Sequence, residues 1–149
     1  KRNFQNLVTF ISQDTFLIED TIKENIILNS EDKFDQEKLN SSIKLAKAEE
    51  FINSLPNKLN YLVGSQSRRI SSGQKQRIVL ARAFYENKDI IVLDEATNAI
   101  DEYNESVIFK NIMSIKKNKT IIIVSHNRNN LLSCDRIYDI KNGKIKELK

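Results

Sequence analysis

Leu7 to Ile11, Ile90 to Leu93 and Thr120 to Val124 are short, almost unbroken apolar runs rich in β-branched residues, without the polar alternation of a sheet that has one wet face. Runs of this kind are expected as strands of a parallel sheet buried on both faces beneath helices. Each run ends in polar residues: Ser12-Gln13, Asp94-Glu95 and Ser125-His126. Open α/β sheets hold their ligands beyond the carboxyl ends of their strands. An amide, two carboxylates and a histidine are therefore expected to gather at one end of the sheet.

Between the first two runs the periodicity changes to that of helices. Leu39, Ile43 and Ala46, with Lys47 beside them, recur at helical spacing in a stretch opened by Asp35 and rich in lysine and glutamate. A small helical subdomain is expected here, running through Phe51-Ile52 and ended by Pro56, with Leu59 to Gly64 as an extended connector. A helix from Ser72 to Tyr85 carries Ile78, Val79, Leu80, Ala81 and Phe84 around most of its circumference, so it must be covered on nearly every side. Another helix starts after Asp101, a good N-cap, with Ile108, Ile112 and Ile115 on one face. Asn142-Gly143 between Arg136–Ile140 and Lys144–Leu148 predicts a hairpin.

Counts of single residue types then exclude several chemistries. The 149 residues include one cysteine, Cys134, and one histidine, His126, so neither an internal disulfide nor a multi-histidine metal site is available. A lone cysteine suits a reducing cytosolic setting. Three glycines, Gly64, Gly73 and Gly143, cannot supply a G-x-x-x-x-G-K-[ST] phosphate loop. The net charge of +4 is too small to imply nucleic acid, and no apolar run reaches the length of a membrane span. Met113 is the only methionine, and residue 1 is expected to be an internal position of a longer protein.

Ile70-Ser71-Ser72-Gly73-Gln74-Lys75-Gln76-Arg77 sets hydroxyls and free backbone amides at the mouth of a helix. On its own this pattern fits a simple cap as well as an anion site. Combined with Asp94-Glu95 at a strand end, it suits phosphate chemistry: one carboxylate can hold Mg²⁺ through its water shell and the next can orient a water.

At this point the chain resembles the nucleotide-binding domain of ATP-binding cassette (ABC) transporters, with motifs in the family's order along nearly its whole length. Ile11-Ser12-Gln13-Asp14 is similar to the Q-loop, and Ile70-Ser71-Ser72-Gly73-Gln74 to the L-S-G-G-Q signature, extended by Gln76-Arg77 and Ala81-Arg82-Ala83. Ile90 to Glu95 is similar to the Walker B strand and its glutamate, Asn98-Ala99-Ile100-Asp101 to the D-loop S-A-L-D, and His126 to the switch histidine. The stretches Phe16 to Ile26 and Ser54 to Gly64 are similar to the exporter type, in which the ATPase and a membrane domain are commonly fused.

The resemblance implies an α/β fold of the P-loop NTPase (RecA-like) class, here in part. Residues 1–14 would carry a core strand and the Q-loop, 15–86 a helical subdomain with the signature, and 87–149 the core with the Walker B, D-loop and H-loop motifs. It implies ATP and Mg²⁺ as ligands, with Asp94 and Gln13 on the metal, Glu95 as general base, and Gln13 and His126 in the catalytic set. It assigns Ser71, Ser72, Gly73, Gln74 and Asp101 to a nucleotide shared with a second nucleotide-binding domain. The implied protein hydrolyses ATP to drive export at the cytoplasmic face of a membrane, with its membrane domain upstream and no nucleic-acid partner. A soluble non-transport ABC ATPase and a degenerate domain of a heterodimeric transporter are the alternatives. Without the phosphate loop, this chain alone is expected to be soluble, to bind Mg²⁺-ATP weakly, to lack ATPase activity and to self-associate. Three departures bear on these roles. Ser72 replaces a glycine and is expected to crowd the phosphate or need an unusual torsion, Ser65 replaces a glutamate, and Asn127 stands where arginine is common.

Overall fold

A computed structural model describes residues 6–14, 16–28, 33–64, 70–127 and 131–149. In chain order the elements are β1 (Val8–Ile11), β2 (Asp20–Thr21), α1 (Ile22–Ile27), α2 (Gln36–Leu45), α3 (Glu49–Ser54), β3 (Leu62–Val63), α4 (Ser72–Glu86), β4 (Ile90–Asp94), α5 (Glu102–Ile115), β5 (Thr120–Val124), β6 (Tyr138–Lys141) and β7 (Lys144–Glu147). Short 3₁₀ turns occupy Lys58–Asn60 and Lys116–Asn118.

The three apolar runs form one parallel sheet in the order β1-β4-β5, with Ile11 opposite Leu93 and Asp94 opposite Val124. Side chains alternate across a strand, and this sheet separates them sharply. Thr9, Ile11, Ile91 and Leu93 are buried in the main core, with Ile121 and Ile123 packed against it. On the opposite face Phe10 is 61% exposed, Ile122 49% and Val124 50%. The expectation of burial on both faces is therefore corrected: among the described residues, helices cover only one. Unbroken apolar runs suit a sheet with two covered faces, and the second face here keeps that chemistry while lying open.

Helix α4 is the hub, because it meets several elements through polar anchors as well as apolar ones. Its buried residues spread around the helix, from Gln76 through Ile78, Val79, Leu80 and Ala81 to Phe84 and Tyr85. Thr9 Oγ1 in β1 donates to the Glu86 carboxylate. Arg82 reaches α1, donating from Nε to the Asn25 carbonyl (2.6 Å) and from an Nη to Asn25 Oδ1 (3.2 Å). Asn25 is fully buried, and its amide also bonds Ile18 at both N–H and carbonyl and the Thr21 carbonyl, so it meets the requirement that buried polar groups be paired. The Arg77 guanidinium stacks 4.7 Å from the Phe51 ring of α3 and donates to the Lys47 carbonyl. Burial pulls both arginines below their ordinary range, offset in part by Asp101 and Glu50 for Arg77 and by Glu86 for Arg82.

Helix α2 begins at its Asp35 cap as expected, but Lys47 lies outside it with φ +53°, so the chain turns before α3. Part of the connector is not merely extended. Lys58–Asn60 coils, and β3 pairs antiparallel with β2 through Asp20 opposite Val63 and Thr21 opposite Leu62. The hairpin of β6 and β7 turns at Asn142 (φ +51°) and Gly143 (φ +70°), both left-handed as a two-residue hairpin turn requires.

Asp101 caps α5 by accepting from the Asn104 N–H (3.0 Å) and from the Asn104 side-chain amide (2.7 Å). These bonds, the side-chain one foremost, hold its carboxyl below the usual value.

Ile91→Ala should cost about 2–5 kcal/mol in denaturant unfolding, whereas Ile122→Ala on the open face should cost less than about 1 kcal/mol; equal losses would contradict a one-sided core. A depressed folded-state pKa stabilises above the unfolded value, and the contribution disappears as pH falls through the folded value. Asp101→Asn, which keeps an acceptor and loses the charge, should therefore be less stable than the parent at neutral pH, with the gap shrinking below about pH 4. A gap that stayed constant or widened on acidification would contradict the cap assignment.

Candidate functional site at the carboxyl end of the sheet

Because the strands are parallel, Gln13, Asp94-Glu95 and Ser125-His126 leave the sheet at the same end. The turn after β4 shapes this end. Glu95 has a left-handed backbone (φ +51°), and its N–H donates to the Val124 carbonyl at 3.0 Å, which ties the turn to β5 just before the histidine. The Glu95 side chain is 17% exposed and is held at both oxygens. His126 Nε2 lies 2.5 Å from Oε1, an ion pair when the imidazole is protonated, and the Asn98 amide donates to Oε2 at 2.8 Å. The His126 side chain is otherwise open, at 89% exposure. Asp94, half-buried, alternates with Leu93 and so belongs to the open face of the sheet with Ile90 and Val92. Gln13 is exposed beyond β1, where Ser12 Oγ donates to the Asp14 carbonyl.

The mouth of α4 is a complete capping box. Ser71 Oγ accepts from the Gln74 N–H (3.2 Å), and Gln74 Oε1 accepts from the Ser71 N–H (3.0 Å). Ser72 is the first helical residue, exposed and without a positive φ, so the unusual torsion expected of it is not needed. Gly73 is required by its neighbour: a Cβ there would stand 2.6 Å from the Ala99 carbonyl oxygen. The nearly fully buried Gln76 adds to this contact, its Oε1 accepting from the Ala99 N–H at 3.0 Å. The signature helix and the turn carrying Asn98 to Asp101 thus form one packed unit.

Several contributors escaped sequence reasoning. Asn98 and Gln76 lie inside the D-loop and signature stretches, yet nothing in their sequence context marks them apart from their neighbours. Thr97 Oγ1 donates to Glu105 Oε1 (2.7 Å), and the Asn127 amide approaches Glu105 Oε2 (3.3 Å), so one α5 carboxylate joins the β4 turn to the residue after His126. Ser65 lies outside the described residues.

The donor chemistry fits magnesium. Among the described residues no group of three His, Cys, Asp or Glu side chains could hold a metal alone. Mg²⁺ commonly takes one or two carboxylates and completes its shell with waters and substrate phosphates; the consecutive carboxylates Asp94 and Glu95 suit that habit, with Gln13 following the adjacent strand at the same end of the sheet. Among the described residues no helix is long and apolar enough to cross a membrane.

The family model of the ABC transporter matches residues 1–98. The chain is 36% identical over 143 residues to a multidrug resistance ABC transporter ATP-binding and permease protein of Lactococcus lactis subsp. cremoris, covering 96% of the chain and 24% of that protein. It is 40% identical over 141 residues to multidrug resistance protein pgp-1 of Caenorhabditis elegans, covering 95% of the chain and 11% of that protein. A bacterial Atm1-family ABC exporter solved with ATP bound superposes with a TM-score of 0.89 at 28% identity, over 96% of the chain and 25% of the exporter chain. The chain thus spans a quarter or less of these relatives' length, and within that span both its fold, that of an ABC ATPase domain of the P-loop class, and its sequence make it a member of the ABC transporter family.

Proposed function

We propose that the chain is the hydrolytic part of an exporter-type ABC ATPase, in which ATP is cleaved to ADP and phosphate to drive transport across a membrane. The observation that carries this reading is the Glu95 carboxylate held 2.5 Å from His126 Nε2 at the end of a strand whose last residue is Asp94. In this mechanism Glu95 accepts the proton of the attacking water while His126, open on its other sides, contacts the γ-phosphate and fixes its orientation. Asp94, with Gln13, would hold Mg²⁺, which when bound neutralises charge on the phosphate oxygens. Gln13, exposed at the site's rim, would report nucleotide state to a membrane domain.

The remaining roles need a second nucleotide-binding domain. Ser71, Ser72, Gly73 and Gln74 would meet the γ-phosphate held by that partner, where the positive dipole of the 15-residue α4 favours an anion. Asp101 would lie at the same junction. The name of the Lactococcus lactis relative, which joins ATP-binding and permease functions, supports a fused membrane domain, and the site would then work at the cytoplasmic face of the membrane.

In the complete transporter, Glu95→Gln should lower ATP turnover by at least about 100-fold, with nucleotide binding retained. Near-normal turnover, or loss of nucleotide binding, would contradict the general-base role.

A further inference from the structure

The geometry around the turn after β4 points to Asn98 as a positioning residue for the Glu95 carboxylate. We infer that its side-chain amide holds Glu95 in the orientation that engages His126, an inference that rests on the reading of Glu95 as general base. A carboxylate on a flexible glutamate can rotate about its terminal torsion, and a base that rotates is aligned with its water only part of the time. Here both oxygens are engaged, Oε1 with His126 and Oε2 with the Asn98 amide at 2.8 Å. Each oxygen keeps a second lone pair, so the clamp leaves room to accept a proton.

The amide is itself held in place. Asn98 donates its N–H to the Glu95 carbonyl (3.3 Å), closing the turn. On one side Thr97 is nearly fully buried and bonded to Glu105; on the other the Ala99 N–H is bonded to Gln76. Ile100, buried at 8% exposure, and the close approach of Gly73 to the Ala99 carbonyl fix the rest of the turn against α4. Asn98 itself is exposed, so its side chain is not needed to fill the core. A side chain with no packing duty, anchored on both flanks and aimed at the one carboxylate placed to act as base, is suited to positioning.

His126 is the only histidine, so the imidazole of the labelled 149-residue chain gives a single set of NMR correlations. Glu95→Ala supplies the reference displacement for an imidazole released from its carboxylate. Asn98→Ala and Asn98→Leu, each checked for a native amide spectrum, should move the His126 correlation along the same direction towards that reference. Asn98→Gln, which keeps an amide donor, should move it less. In the complete transporter, Asn98→Ala should lower kcat about 10-fold with KM for ATP unchanged. The inference is overturned if the His126 correlation of folded Asn98→Ala stays at the parent position, if Asn98→Gln displaces it as far as Asn98→Ala, or if kcat is unchanged. Failure of the general-base reading appears differently, as turnover that survives Glu95→Gln, and leaves the spectroscopic coupling standing.

Discussion

The left-handed backbone of Glu95 is the constraint on which the rest of the site depends. A strand that continued past Asp94 would turn the next side chain to the buried face of Leu93; instead the chain leaves the strand at φ +51°, and the Glu95 carboxylate lies against His126. For a residue with a Cβ this conformation costs roughly 1–2 kcal/mol, so neighbouring interactions must hold it. They do so at both ends of the turn. The Glu95 N–H bonds the Val124 carbonyl, the Asn98 and Ile100 N–H groups close successive turns on the Glu95 and Thr97 carbonyls, and the Ala99 N–H is taken by Gln76. Strain at a functional residue is maintained by surroundings that over-determine it.

That turn also explains how the fold couples its two kinds of polar cluster. The capped mouth of α4 and the Asp94-Glu95 end of β4 lie far apart in sequence but meet where Gly73 and Gln76 touch Ala99. Anything that displaces the start of α4 must therefore displace Asn98 or break a bond to a buried amide. The other end of α4 is tied to β1 through Thr9 and Glu86, and to the segment after Gln13 through Arg82 and Asn25. One helix thereby connects its own capped mouth, the turn after β4 and the elements on either side of Gln13.

The sequence revealed the elements whose periodicity spans several residues. The three sheet strands, α4, α5 and the hairpin at Asn142-Gly143 were legible because their apolar spacing or turn chemistry was strong. The pairing of β2 with β3 was not, since two-residue strands leave no pattern, and the turn at Lys47 was absorbed into a helical repeat that it ends. The unbroken apolar runs overstate the burial of the sheet, because apolar residues record what a face is suited to meet and not whether the described chain supplies it. In the site, Asp94, Glu95 and His126 stood out as chemical groups at strand ends. Gln76 and Glu105 did not, because their bonds to Ala99 and Asn127 span sequence separations no local pattern encodes, and Asn98 did not, although it reaches only three residues back, because the left-handed turn at Glu95 that brings the two together leaves no apolar pattern. Phosphate chemistry drew attention to Gly73, and the close approach of Ala99 is a second reason for a glycine there that no sequence pattern shows.

The backbone inversion at Glu95 can be tested apart from any catalytic role by comparing two variants that both remove the carboxylate. Glycine enters the left-handed region without a Cβ penalty, while alanine does not. In denaturant unfolding of the 149-residue chain, Glu95→Gly should be more stable than Glu95→Ala by about 1 kcal/mol. If alanine proved equal to or more stable than glycine at this position, Glu95 would not hold the inverted backbone, and the account of how the carboxyl end of the sheet is assembled would be wrong.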